Sequence, residues 1–304
     1  MLQSRNGSIR LFRLTGIDVF LHWSWFLVAV FEIQTRNRNY SSPLWNVAEY
    51  LALFAIVLLH EFGHSLACRQ VGGSANTIVL WPLGGVAYIA PPQRPAAMLW
   101  SIAAGPLVNV ALFPVLYIGT MIARTSGWAD TAPDASALLR ALFAINLILL
   151  AFNLLPIYPL DGGQILRSLL WFVLGRARSL MAAAVLGIVV LLGALGWALW
   201  SLSLWNAVLV YFLLANCWRG LQEARRMQEI AKLPRREGFA CPSCHAAPPY
   251  GDFWRCPHCA QPSDPFSSAS SCHCTAEFQA ASCVDCGATH RIGEWVVPAA
   301  KATA

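Results

Sequence analysis

His60-Glu61-Phe62-Gly63-His64 stands inside an apolar run, residues 46–69 (NVAEYLALFAIVLLHEFGHSLACR), long enough to cross a bilayer. Two histidines four apart share one helix face, so both imidazoles can reach a single zinc ion. The glutamate between them flanks such a metal as general base in metalloproteases. A carboxylate within a membrane span costs roughly 2.5–3.5 kcal/mol on insertion scales, so its presence asks for a function. These residues point to zinc-dependent hydrolysis within the membrane. A pair of interfacial histidines packed on neighbouring helices is the competing reading, and it leaves Glu61 unexplained.

Working outward, the composition agrees with a membrane protein. The chain is 57% hydrophobic and 12% charged with 13 Trp, against roughly 25% charged in ordinary soluble domains. A net charge of +6 could suggest nucleic acid, but the charges are placed otherwise. Arg5, Arg10 and Arg13 precede the first apolar run; Arg219, Arg225, Arg226, Lys232, Arg235 and Arg236 follow the last. That asymmetry predicts both termini in the cytoplasm.

Six apolar stretches, about 17–33, 46–69, 96–123, 138–158, 179–199 and 202–220, predict an all-α polytopic membrane protein. External loops fall at 34–45 and 124–137, and cytoplasmic loops at 70–95 and 159–178. The first stretch follows a basic region as a secretory signal would, but no small-x-small cleavage site ends it. Arg69 marks the cytoplasmic end of the second span. His60 lies nine residues before it, roughly 13 Å along a helix, within the hydrocarbon.

A zinc hydrolase needs a third protein ligand and an open position. Asp161 is the candidate, in Asn153-Leu154-Leu155-Pro156-Ile157-Tyr158-Pro159-Leu160-Asp161-Gly162-Gly163. The fourth span also runs inward and ends on the membrane side of His60 and His64. Two prolines break the helix, and Gly162 and Gly163 would allow unusual backbone. Asp161 could equally cap the helix that begins near Gln164.

Taken together, these motifs resemble the site-2 protease family of intramembrane zinc metalloproteases. His60–His64 is similar to the family's zinc helix, and Gly105-Pro106-Leu107-Val108-Asn109 to its small-residue motif. The 153–162 segment is similar to the Asn-x-x-Pro-x-x-x-Leu-Asp-Gly motif, and Gly16–Ser24 to the first span of the compact six-span subgroup that includes the sporulation protease of bacilli. The resemblance covers about residues 10–220. It implies that His60, His64 and Asp161 hold zinc, that Glu61 activates water, and that Asn153 holds substrate near the metal. For Asn153 an interhelical hydrogen bond remains an alternative.

Residues 75–90 are too short for a span and carry Pro82-x-Gly84-Gly85, so they predict a hairpin dipping into the membrane face. The resemblance makes it a re-entrant hairpin beside the active site, with Gly84, Gly85 and Pro159 among the substrate-positioning residues. A transmembrane substrate must unwind before attack, and an edge strand could hold it extended. An interfacial loop is the alternative. Asn109 and Asn146 read as packing hydrogen bonds between spans.

Beyond residue 220 a basic juxtamembrane linker, 221–237, is followed by eight of the ten Cys in residues 238–297 and a tail, 298–304. Cys241-x-x-Cys244 with Cys256-x-x-Cys259 predicts one zinc ribbon. Cys272-x-Cys274 with Cys283-x-x-Cys286 predicts a second site, and 261–268 reads as a linker between them. A disulfide framework conflicts with the cytoplasmic placement. Arg255 and Arg291 stand against Asp252, Asp264, Glu277, Asp285 and Glu294. This acidity favours a regulatory protein partner over nucleic acid. The chain is thus expected to be a protease domain, 1–220, with one catalytic and one or two structural zinc ions, in the lipid bilayer of a bacterial inner membrane, acting on transmembrane proteins. A zinc transporter and a catalytically silent scaffold are the rival functions.

Overall fold

A computed structural model describes residues 4–5, 7–27, 40–81, 84–201, 204–256, 258–267, 274 and 278–297. Six helices have both ends among the described residues: α1 Pro43–Gln70, α2 Pro95–Thr125, α3 Trp128–Thr131, α4 Pro133–Asn153, α5 Asp161–Trp200 and α6 Leu204–Ala231. Among the described residues α1, α2, α4 and α5 are long and apolar enough to cross a membrane. Their starts are locally encoded. Proline opens α1, α2 and α4, where its missing N–H costs nothing. Ser42 adds an N-cap, its Oγ accepting from Leu44 N at 3.4 Å.

The helix ends differ from expectation at one place. The predicted loop 159–178 is largely helical, because α5 begins at Asp161 and bends only at Gly175 (φ 77°, ψ 172°). Glycine alone adopts that conformation without a steric penalty. The predicted span 179–199 is therefore the second arm of a bent helix. The stretch 202–220 falls in α6, which continues through 221–231 as helix.

The all-α expectation is corrected by a five-stranded sheet of order β1-β2-β3-β4-β5: β1 Ser4–Arg5, β2 Ser8–Leu14, β3 Ile17–His22, β4 Ser74–Trp81 and β5 Gly84–Ala90. The first apolar stretch thus starts as a strand through His22 and turns helical at residues 25–27; its residues 28–33 lie outside the described residues. The cause is tertiary. β3 runs parallel to β4 in the register Asp18↔Thr77 to Leu21↔Leu80. Ile17 and Val19 then pack with Ile78, Leu80, Val57 and Phe62 of α1 in one buried cluster. The expected hairpin is present as β4 and β5, antiparallel from Ser74↔Ala90 to Trp81↔Gly84.

Arg69, at the end of α1, ties sheet to helix. Its guanidinium donates to Thr15 O (2.5 Å), Gly16 O (3.0 Å), Ala75 O (2.9 Å) and Asn76 Oδ1 (3.1 Å). The metal-motif helix and the hairpin are thereby held in one orientation.

The C-terminal module packs Cys241, Trp254, Phe266, Ala281, Cys283 and Trp295 into its own core. It adds β6 Trp254–Arg255 paired with β7 Pro262–Ser263, and β8 Ala280–Ser282 paired with β9 Thr289–Arg291. Of the expected linker 261–268, residues 261–267 are instead part of this body and 268 lies outside the described residues: β7 pairs with β6, and the Phe266 ring lies 5.2 Å from Trp254 and 5.0 Å from Trp295. Two of the juxtamembrane arginines also turn to the module. Arg235 forks onto Asp285 (2.6 and 3.0 Å), and Arg236 pairs with Asp264. Arg176, beside the α5 bend, donates to the Asp285 carbonyl, so the module is fastened to the membrane helices.

Candidate metal centre

Helix α1 places His60 and His64 one turn apart on a buried face. Asp161 is the first residue of α5, whose N-cap is Leu160, so the capping alternative fails. Its carboxylate instead turns to the histidines, with Oδ2 at 3.0 Å from His60 Nε2 and 3.3 Å from His64 Nε2. The two Nε2 atoms are 3.1 Å apart. Ligands about 2.0–2.1 Å from one tetrahedral ion would stand roughly 3.4 Å from each other, close to the observed spacing.

The hydrogen bonds behind the imidazoles decide what the front atoms carry. His64 Nδ1 lies 3.0 Å from the Ser101 carbonyl, which can only accept, so Nδ1 bears the proton. For His60 the chain is longer. Asn146 Nδ2 donates to the Asn109 carbonyl (3.0 Å), which presents Asn146 Oδ1 to Asn109 Nδ2 (2.8 Å). Asn109 Oδ1 is then left to accept from His60 Nδ1 at 2.6 Å. In the neutral rings both Nε2 atoms therefore carry lone pairs that face each other and a carboxylate. That arrangement is repulsive without a cation, and it fits zinc.

Small residues make the room. A Cβ on Gly105 would stand 2.3 Å from His64 Nε2 and 2.9 Å from His60 Nε2. One on Gly162 would stand 2.3 Å from Leu154 O, and one on Gly163 2.4 Å from Tyr158 N. Gly162 and Gly163 are thus helical residues that let α5 press on the 154–158 turn, rather than carriers of unusual backbone.

Glu61 is buried on α1 between the two histidines. Asn153 ends α4, half-buried, and makes no hydrogen bond to the His–Asp cluster among the described residues. Pro159 accepts from Gln164 Nε2 through its carbonyl (2.9 Å), and Gly84 and Gly85 open β5. Asn109 and Asn146 are more than the packing residues expected of them. A polar side chain buried in each of two apolar helices was the available signal, but only the fold joins that pair to His60.

The thiols form two further clusters, differently composed from the expected ones. Cys241, Cys244, Cys283 and Cys286 come together, and Cys256 and Cys259 join Cys274; Cys272 lies outside the described residues. The expected grouping of 241/244 with 256/259 is therefore corrected. Its cause is pairing of the module's ends, with Ala240 N donating to Trp295 O (2.8 Å) and Val297 N to Gly238 O (3.0 Å). Knuckles 241–246 and 283–288 share one pattern: Cys241 N to Ala246 O and Cys283 N to Ala288 O, with His245 and Gly287 at positive φ. The contacts Cys241–Cys286 and Cys244–Cys283 are 3.7 Å, and Cys256–Cys274 3.6 Å. A disulfide needs about 2.05 Å, whereas thiolates at about 2.3 Å from a shared tetrahedral ion stand near 3.8 Å apart. Burial pushes the Cys244 thiol up to about 11 and Cys283 higher still, while Asp285 raises Arg235 above its ordinary value.

Comparison with known proteins bears on the membrane part. A model of peptidase family M50 matches residues 48–125 and 114–195. A zinc metalloprotease of Methanocaldococcus jannaschii is 36% identical over 184 residues, 60% of this chain and 51% of the relative. Stage IV sporulation protein FB of Bacillus subtilis is 34% identical over 119 residues, 38% of each chain. The solved site-2 protease from M. jannaschii superposes with a TM-score of 0.52 at 31% identity, over 70% of this chain and 95% of that one. The chain spans about half the length of the curated relatives it matches.

Proposed function

Because this chain belongs to peptidase family M50, the site-2 protease family, we propose that it is an intramembrane zinc metalloprotease. It would hydrolyse peptide bonds in or near transmembrane segments of membrane proteins. The observation that carries the reading is the pair of buried imidazoles with facing lone pairs, closed by Asp161 and flanked by Glu61.

His60, His64 and Asp161 would hold the ion, which supplies Lewis acidity toward a carbonyl and an acidified water at neutral pH. Glu61 takes the proton of the attacking water and returns it to the leaving amine nitrogen. Asn109 and Ser101 keep the Nδ1 protons of the histidines in place. β5 is one of the two edge strands of the sheet among the described residues. Its free side offers backbone N–H and C=O groups to an unwound substrate, which would otherwise leave its own groups unpaired in lipid. Gly84, Gly85, Asn153 and Pro159 belong to that positioning role. The hairpin dips into the membrane face, six spans cross it, and both termini lie in the cytoplasm of a bacterial cell. The thiol clusters take one or two structural zinc ions and present the module to a regulatory protein rather than to nucleic acid.

Proteolysis is favoured over zinc transport or a silent scaffold, because neither rival needs a general base at Glu61. The test is cleavage of single-span proteins by purified protein in detergent, wild type against Glu61→Gln at matched zinc content. Cleavage lost with zinc retained supports the reading. Equal cleavage by both refutes it.

A further inference from the structure

A cavity of about 260 Å³ opens between α1 and α4, and Tyr50, Leu53 and Leu149 of its lining also pack on the buried cluster that α1 shares with the sheet. Its walls are Tyr50, Leu53, Ile148, Leu149 and Phe152, and Ile148 is 68% exposed, so the cavity opens toward lipid. Beside it sits Asn46, only 4% exposed, with neither amide atom hydrogen-bonded among the described residues. Its neighbour Glu49 is already engaged by the Tyr40 hydroxyl at 2.5 Å. A buried amide left unpaired is destabilising, so the position asks for a partner that arrives from outside. The cavity is smaller than the roughly 300–1,000 Å³ of small-molecule pockets. It has room for a few side chains of a helix passing across it. An acyl chain could fill the apolar part but has nothing to give the amide.

We infer that the α1–α4 groove is a docking site for the transmembrane segment of a substrate, with Asn46 pairing a hydrogen-bonding side chain of that segment. This deepens the proteolytic reading and rests on it. Asn46 precedes His60 by 14 residues, about 21 Å along α1. The far wall ends at Phe152, next to Asn153. A span seated in the groove is therefore anchored about four helical turns from the bond to be cut, and its polar residue selects it.

The test separates docking from chemistry. Fluorescent single-span Leu/Ala peptides carrying either Asn or Leu, scanned along the span, are titrated against the Glu61→Gln protein in nanodiscs. At one depth the Asn peptide should bind about fivefold tighter than its Leu counterpart, and the advantage should vanish in Asn46→Leu. Ile148→Trp, which fills the groove, should weaken both peptides. Zinc content and thermal unfolding report whether each variant is folded; should Asn46→Leu not fold, Ile148→Trp alone decides. An Asn advantage that survives loss of Asn46, its absence at every depth, or unchanged binding by a folded Ile148→Trp overturns the proposal. Peptides that bind as expected yet are never cut by the Glu61 protein would overturn proteolysis instead.

Discussion

Replacing Asn109 by alanine should weaken zinc binding at His60 and His64 without touching a ligand. Asn109 is fully buried, and its Oδ1 accepts from His60 Nδ1 at 2.6 Å, which keeps Nε2 free for the metal. Loss of such a partner behind a ligating histidine typically costs 10–100-fold in metal affinity. At about 1.4 kcal/mol per factor of ten, that is about 1.4–2.8 kcal/mol, in line with one buried hydrogen bond to a polarised group. A separate cost falls on stability, because Asn146 Oδ1 loses its donor, worth about 1–3 kcal/mol. Asn109→Ala combined with Asn146→Leu removes both partners and should recover much of the stability while leaving zinc affinity low. Chelator competition and thermal unfolding in detergent measure the two effects; the thiol clusters are common to every variant and cancel in the comparison. Wild-type zinc affinity in Asn109→Ala, or its full return in the double variant, would refute the tautomer argument.

Gly105→Ala places a methyl where both imidazoles meet, so the purified protein should carry one zinc fewer per chain by elemental analysis. Arg69→Ala removes four hydrogen bonds between α1 and the sheet. Limited proteolysis should then cut near residues 14–17 at least tenfold faster, reflecting a loss of about 1.5 kcal/mol or more in local stability. Cys241→Ser and Cys283→Ser should give the same unfolding profile and zinc loss, because both break one cluster. Cys256→Ser should match neither, and identical behaviour of Cys241→Ser and Cys256→Ser would restore the simpler pairing by chain order.

The parts of this fold written in short stretches could be read directly. The metal helix has its own spacing, the hairpin has Pro82-x-Gly84-Gly85 between apolar arms, and Asp161 stands where two prolines stop a helix. The rest depends on partners far along the chain. Ile17–His22 opens an apolar stretch of span length, and pairing with residues 8–14 on one side and 77–80 on the other makes it a strand. The thiol grouping failed for the same reason: cysteine spacing names knuckles, but their partnership is made by Ala240 meeting Trp295. Asn109 and Asn146 looked like interhelical glue, and they are; nothing local told that the glue is also attached to His60.

The thiol clusters are nested: the pair at 241 and 244 closes onto 283 and 286, and the other cluster lies wholly between them. Chain connectivity then favours one order of closure. Closing the inner cluster first shortens the loop the outer one must span, and shorter loops lose less entropy on closure. The outer knuckle also carries Asp285, which Arg176 of the membrane helices grips. The cluster that closes the longest loop is thus the one beside the contact that fastens the module down.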